Sequence, residues 1–279
     1  KAVIDLASEQ TGLDIPALCF EENDKLNITE YTQICMLAVE AAIYQAIIDK
    51  GITPDVTAGL SLGEYGALIA SGAMTMADAF AVVRKRGIYM QEAVPTGGAM
   101  TAVLGLDPQI IEDICKKTAD ETNSVVSVAN YNCPGQIVIT GEKAAVDAAA
   151  AACSETGAKR CVPLKVSGPF HSAMLKGAGE KLADALESVE IHDIKVPYIT
   201  NVTADYVKSP ADVKDYLTQQ VSSSVRWQQT IERLIADGAD EFVEIGPGRS
   251  LSGFMRKINR DVKVVNIDKL EDFEKYVNR

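Results

Sequence analysis

The sequence predicts an α/β fold in which a mostly parallel sheet, covered by helices on both faces, is interrupted by a smaller βαββαβ unit. Three observations carry this. Short apolar segments alternate with longer segments of helical spacing along most of the 279 residues, the pattern of strands joined by helical crossovers. The stretch Gly59-Leu60-Ser61-Leu62-Gly63 fits G-x-S-x-G, a serine on a sharp turn between a strand and a helix. Between about residues 96 and 166 the order becomes strand, helix, strand, strand, helix, strand, which is the ferredoxin-like order. A continuous mixed sheet would give the same element order.

Taken in order, residues 1–11 have helical spacing and stop at Gly12. They start without a capping residue, so the chain is expected to begin inside a helix. Residues 15–27, with Pro16 and Glu21-Glu22, read as loop. A long helix is expected over 29–50, with Ile34, Leu37, Ala38, Ala41 and Ile48 on one stripe and Gly51 as its end. A strand at Val56 leads into the serine turn, and helices follow over 64–70 and 75–90, the second capped by Thr75 with Asp78 three residues on.

In the middle unit, strands are expected over 100–106, 125–129, 136–140 and 160–166. Helices are expected over 108–120 and 142–157, and residues 130–135 should form a loop. Beyond Ser167-Gly168-Pro169-Phe170-His171, helices read over 172–190, 211–220, 226–237 and after Arg249. Strands read over 196–200, 241–245 and 262–267, before a charged helical tail. The division is therefore 1–95 with 167–279 as the larger unit and 96–166 as the smaller.

Composition narrows the function. Net charge is −12, from 27 Lys and Arg against 39 Asp and Glu, which opposes nucleic-acid binding because that depends on neutralising phosphates. No unbroken apolar run reaches the roughly 18 residues of a membrane span. The six cysteines form no C-x-x-C pair and no His/Cys cluster at zinc spacing. Reduced thiols, a cytoplasmic location and no metal are expected.

In a glycine-flanked turn Ser61 is lifted out of the sheet, and the Leu62 N–H points at the same place from a helix N-terminus. A nucleophile and an oxyanion donor in one turn suit acyl transfer; an incidental serine in a strand–helix turn is the plain alternative. Only His171 and His192 are available as a base. His192 lies among Glu190, Asp193 and Lys195 in a solvated link, while His171 follows the rigid Gly168-Pro169-Phe170 turn, so His171 is preferred. Arg86, between Lys85 and Gly87 and close to Arg84, reads from the residues alone as a surface charge.

At this point the sequence resembles the malonyl-CoA:acyl-carrier-protein transacylases of bacterial fatty-acid synthesis over nearly its whole length. The resemblance rests on Gly59-Leu60-Ser61-Leu62-Gly63-Glu64-Tyr65, Arg84-Lys85-Arg86-Gly87, Ala129-Asn130-Tyr131-Asn132 with Pro134-Gly135-Gln136, Gly168-Pro169-Phe170-His171, Val225-Arg226-Trp227 and Glu244-Ile245-Gly246-Pro247-Gly248. It implies Ser61 as nucleophile and His171 as its base, oriented by a backbone carbonyl near Gln220. It implies Arg86 as partner of the malonyl carboxylate, and a hydrolase-like α/β core carrying a ferredoxin-like subdomain.

Malonyl-CoA and an acyl carrier protein are the implied partners, with no cofactor and a monomer expected. Phe170 reads equally as core packing or as a wall of the acyl pocket. Asn130, Asn132 and Gln136 read as turn formers or as groups near the thioester. Lys159, Arg160, Lys165, Arg249, Arg256 and Lys257 would form a basic rim for an acidic carrier, or are ordinary solvated charges. The family's N-terminal strand and its Gly-Gln-Gly loop have no counterpart, so an upstream segment holding both is expected.

Three other readings remain: a serine esterase or thioesterase with an acid behind the histidine, a non-catalytic carrier-binding relative, and an acyltransferase domain from a polyketide synthase. Arg86 separates the first, because a general esterase has no use for a buried cation.

Overall fold

Helix α1 (Ala2–Thr11) ends where Gly12 turns left-handed at φ 67°, the stop its glycine predicts. The structure, a computed structural model, describes residues 1–166 and 168–279. Ser167, where the second segment of the larger unit was expected to begin, lies outside the described residues. Residues 15–27 are not a plain loop. They hold helix α2 (Ile15–Phe20) and a 3-10 turn at Lys25–Asn27. Pro16 stands in the first turn, where no intrahelical N–H is required, and Asp14 caps the helix by accepting from the Ala17 N–H at 3.0 Å.

Helix α3 (Thr29–Ile48) buries Ile34, Leu37, Ala38 and Ala41. By length and mean hydropathy it is long and apolar enough to cross a membrane, although polar residues such as Glu40 interrupt it and no unbroken apolar run spans it. Here its apolar face packs in the main core with Tyr65, Leu68 and Phe80. The short strand β1 (Thr57–Ala58) precedes α4 (Gly63–Ser71) and α5 (Met76–Ala93). Thr75 caps α5, accepting from the Asp78 N–H at 3.1 Å. Helix α5 lies tightly on the first turn of α3: a Cβ on Gly87 would stand 2.8 Å from the Glu30 Cα.

The middle of the chain runs β2 (Gly98–Leu104), α6 (Pro108–Thr122), β3 (Val126–Cys133), β4 (Gln136–Glu142), α7 (Lys143–Glu155) and β5 (Arg160–Pro163). Its sheet has the order β3-β4-β2-β5 with every neighbouring pair antiparallel. Val103, Ile137 and Ile139 pack there with Ile111 of α6 and Val146 of α7. The expected loop at 130–135 is mostly strand. Asn130 to Cys133 continue β3, with register shifts after Val128 and after Tyr131 that absorb the irregularity as bulges. The outer edge of β3 is held by the Tyr131 N–H donating to the Val225 carbonyl at 2.9 Å and the Val225 N–H to the Ala129 carbonyl at 2.8 Å.

The remainder comprises α8 (Lys176–Glu187), β6 (Tyr198–Ile199), α9 (Val213–Gln220), α10 (Trp227–Ala236), β7 (Glu241–Ile245), α11 (Ser250–Ile258), β8 (Lys263–Ile267) and α12 (Leu270–Val277). The parallel pairing occurs as two separate fragments, β1 with β6 and β7 with β8. A cavity of about 1120 Å³ lies between them, touching Thr57 and Ala58 on one side and Val243 and Ile245 on the other. The chain is thus an α/β protein with parallel sheet fragments beside one antiparallel sheet.

Candidate active site

The site is built at the end of β1. Gly59 is tolerated there only as glycine, since an added Cβ would fall 1.9 Å from the Gly63 carbonyl carbon and oxygen. Two residues on, Ser61 is left-handed at φ 54°, a conformation that costs a side-chain-bearing residue energy. His171 is left-handed as well, at φ 60°. Such strain persists where surrounding bonds over-determine it, and it concentrates at functional sites.

These two strained residues meet. Ser61 Oγ lies 2.8 Å from His171 Nε2, although 110 residues separate them. His171 Nδ1 lies 2.9 Å from the Gln220 carbonyl. A carbonyl can only accept, so Nδ1 carries the proton, and Nε2 is left as the acceptor for the serine hydroxyl. Burial, and then the charge of Arg86, push the His171 pKa down to about 4, against opposing bonds from the Gln220 and Ser223 backbone. The imidazole is therefore neutral at pH 7 and ready to take a proton. In a hydrolase triad a carboxylate would hold this nitrogen; here a backbone carbonyl does.

Arg86 is not the surface charge that its neighbours imply. It is 1 % exposed, whereas Lys85 on the same turn is exposed. Its Nη2 donates to Ser61 Oγ at 3.2 Å and to Gln220 Oε1 at 2.9 Å, and its Nη1 to Gln33 Oε1. Among the described residues no carboxylate pairs with it directly. The carboxyl of Glu64 is wholly buried and joined to it through the Gln220 amide, whose Nε2 donates to Glu64 Oε2 at 2.7 Å. Burial lowers the Arg86 pKa and raises that of Glu64, and each charge opposes the shift of the other. A guanidinium keeps its proton even so. The result is a buried cation beside the serine, held by neutral amides.

The Leu62 N–H takes no backbone or side-chain partner among the described residues, which leaves it available to an oxyanion at the start of α4. The Ser61 N–H is not available. It donates to Asn201 Oδ1 at 2.6 Å. Phe170 is half-buried where the main core meets Met100, Ala129 and Val138. Asn130 and Asn132 are buried strand residues on the wall of the large cavity, together with Leu60 and Leu62. Ser61, His171 and Arg86 do not line that cavity. His192 faces Glu190 instead, with Nδ1 3.7 Å from its Oε1. Lys257 donates to Gln136 Oε1 at 3.1 Å, and the other expected rim cations are exposed.

Sequence reasoning missed Asn201, Gln33 and the side chain of Gln220. Each is polar and almost fully buried, at 1 %, 6 % and 0 % exposure, but no local pattern marks any of them.

Three comparisons bear on this geometry. Residues 5–267 match the family described as acyl transferase domain. The chain is 45% identical over 276 residues to the malonyl CoA-acyl carrier protein transacylase of Bacillus subtilis, a match spanning 98% of this chain and 87% of the relative. Among solved structures, the chain superposes on the MCAT of Streptococcus pneumoniae with a TM-score of 0.95 and 44% identity, covering 99% of this chain and 90% of that one. A malonyl-transacylase in complex with its type II PKS acyl-carrier protein gives a TM-score of 0.96 at 38% identity, with the same coverage of 99% and 90%.

Proposed function

The chain belongs to the acyl transferase domain family, among the malonyl CoA-acyl carrier protein transacylases, and from that premise we propose that it moves a malonyl group from malonyl-CoA to the phosphopantetheine thiol of an acyl carrier protein through an ester on Ser61. The observation that carries the reading is that one atom, Ser61 Oγ, lies within reach of both a neutral histidine nitrogen at 2.8 Å and a buried guanidinium at 3.2 Å.

The chemistry runs in two halves. His171 Nε2 takes the Ser61 hydroxyl proton as Oγ attacks the thioester carbonyl, and the Leu62 N–H donates to the oxyanion. Such a donor contributes on the order of 3 kcal/mol. The tetrahedral intermediate collapses to the Ser61 ester, and the departing CoA sulfur takes the proton back from His171. In the second half the carrier thiol gives its proton to Nε2 and attacks the ester, and Ser61 recovers its hydroxyl. The Gln220 carbonyl stabilises the imidazolium formed in each half. Arg86 binds the free malonyl carboxylate, which the neutral amides around it leave unopposed.

The finer fold reading is of the same kind: residues 1–95 and 167–279 as a hydrolase-like core, and 96–166 as a ferredoxin-like unit. The antiparallel order β3-β4-β2-β5 supports the second part. We read it as a cytoplasmic monomer acting in fatty-acid biosynthesis; the free cysteines fit a reducing compartment, and the net charge of −12 fits a protein that does not bind nucleic acid. An esterase is less well supported, because such an enzyme has no role for a buried Arg86.

Initial velocities against malonyl-CoA at several fixed carrier concentrations test the two-half scheme. Parallel double-reciprocal lines are expected; intersecting lines would require both substrates bound at once and would rule out a free Ser61 ester.

A further inference from the structure

Beyond the residues that touch substrate, we propose that Asn201 is the positioning residue of the site: its side-chain amide clamps the serine turn from both ends and holds Ser61 in its strained, reactive conformation. The inference rests on the acyl-transfer reading above. Asn201 Oδ1 accepts from the Ser61 N–H at 2.6 Å, and its Nδ2 donates to the Gly59 carbonyl at 2.6 Å. One planar amide therefore bridges the residue before the turn and the nucleophile itself. The backbone of Asn201 is engaged as well. Its N–H donates to Glu64 Oε2 at 3.1 Å, and its carbonyl accepts from the Arg226 N–H at 3.1 Å. The residue is 1 % exposed, so all four of its polar groups are satisfied out of water.

The fold explains why position 201 lies there. Strand β6 runs parallel to β1 with Thr57 opposite Tyr198 and Ala58 opposite Ile199. Two parallel strands in register end level, so the residue two past Ile199 emerges beside the residues one to three past Ala58, Gly59 to Ser61. An asparagine there meets the turn side-on, with one acceptor and one donor in the plane of its amide.

The clamp has two consequences. It opposes relaxation of Ser61 from its left-handed φ of 54°, a change that would swing Oγ away from His171 and Arg86. It also occupies the Ser61 N–H, so the turn offers the Leu62 N–H alone to an oxyanion. Asn201 reaches neither His171 nor Arg86 directly. Its removal should therefore impair attack more than substrate binding.

The test is single-turnover loading of the full chain with malonyl-CoA, followed by rapid quench and intact mass, for the parent, Asn201→Ala and Asn201→Asp. In Asn201→Ala the loading rate at saturation should fall about 100-fold, the scale of a misplaced nucleophile, while the malonyl-CoA concentration giving half the maximal rate moves less than about threefold. Asn201→Asp is the isosteric check. The charged and titratable groups nearby are Glu64 of α4, which accepts from the backbone N–H of residue 201, Arg86 of α5, reached through Gln220, and His171 beyond Ser61.

When protonated, the introduced carboxyl again donates to the Gly59 carbonyl; when ionised, it repels it. Loading by Asn201→Asp relative to the parent should accordingly be higher at pH 5.5 than at pH 8, because only the protonated carboxyl restores the donor to the Gly59 carbonyl. Four outcomes would overturn the proposal: parental loading in Asn201→Ala, rate and half-saturation shifting together, a flat pH ratio in Asn201→Asp, or failure of both variants to fold. The last would make Asn201 a residue of the fold only. A parent that does not load at all refutes acyl transfer itself, which is a separate result.

Discussion

Replacing Arg86 by alanine should change which acyl group the enzyme accepts. The guanidinium is 1 % exposed, has no direct carboxylate partner among the described residues and lies 3.2 Å from Ser61 Oγ. A malonyl carboxylate drawn into that space without a cation is a buried charge with nothing to neutralise it. Truncating one partner of such a hydrogen-bonded charge pair costs about 2–5 kcal/mol. At about 1.4 kcal/mol per tenfold, that is roughly 30- to 4,000-fold in malonyl loading. An acetyl group carries no charge, so in Arg86→Ala its loading should fall far less than that of malonyl. Loss of the bond to Ser61 Oγ affects both substrates alike and cancels in the ratio. Arg86→Lys should recover only part of the malonyl rate, because an ammonium lacks the two-pronged fork. Single-turnover loading with the two thioesters gives the ratio directly. An equal fall with both would refute the reasoning and make Arg86 a structural cation.

Two further outcomes follow from the same geometry. His171 has its pKa pushed down to about 4 by burial and by Arg86. The kcat/KM of loading should therefore stay level from about pH 8 to 5 and fall tenfold per unit below about pH 4. A malonyl carboxylate neutralises Arg86 and removes the second cause, so the acid limb of kcat should sit at higher pH than that of kcat/KM. A limb of kcat/KM at the ordinary histidine value would contradict the buried, cation-flanked environment. Gly59→Ala places a methyl group 1.9 Å from the Gly63 carbonyl and should destabilise the chain by more than about 4 kcal/mol, the range reserved for severe defects. Denaturation midpoints measure this, and a parental midpoint would mean that the turn has room to spare.

The parts of the site that lie in one stretch of chain were the readable ones. Ser61 stands in a turn whose glycines announce its geometry, and only two histidines compete for its proton. Arg86 was ambiguous, because Arg84-Lys85-Arg86 looks like a solvated face. Gly87, which lets α5 sit against Glu30, and the partners Gln33 and Gln220 make it a buried cation. Asn201 was invisible. It bonds to a residue 140 positions away, and its placement depends on β1 and β6 pairing in register, which periodicity does not encode.

Local cues also misled in detail. Pro16 and the short span hid α2, although proline in a first turn is no obstacle. Asn130 to Cys133 read as a turn because asparagine, proline and glycine cluster there. Pairing to β4 and Val225 keeps them in strand through two bulges. The scattered polar residues of α3 concealed how apolar that helix is.

The measurement that bears most directly on the acyl-enzyme is intact and peptide mass after incubation with malonyl-CoA, repeated after addition of holo acyl carrier protein and repeated again with Ser61→Ala. One malonyl adduct on the peptide holding Ser61, discharged when the carrier is added and absent from the Ser61→Ala variant, is the predicted result. An adduct that persists in Ser61→Ala, or malonyl reaching the carrier with no adduct on the parent enzyme at any time, would contradict it.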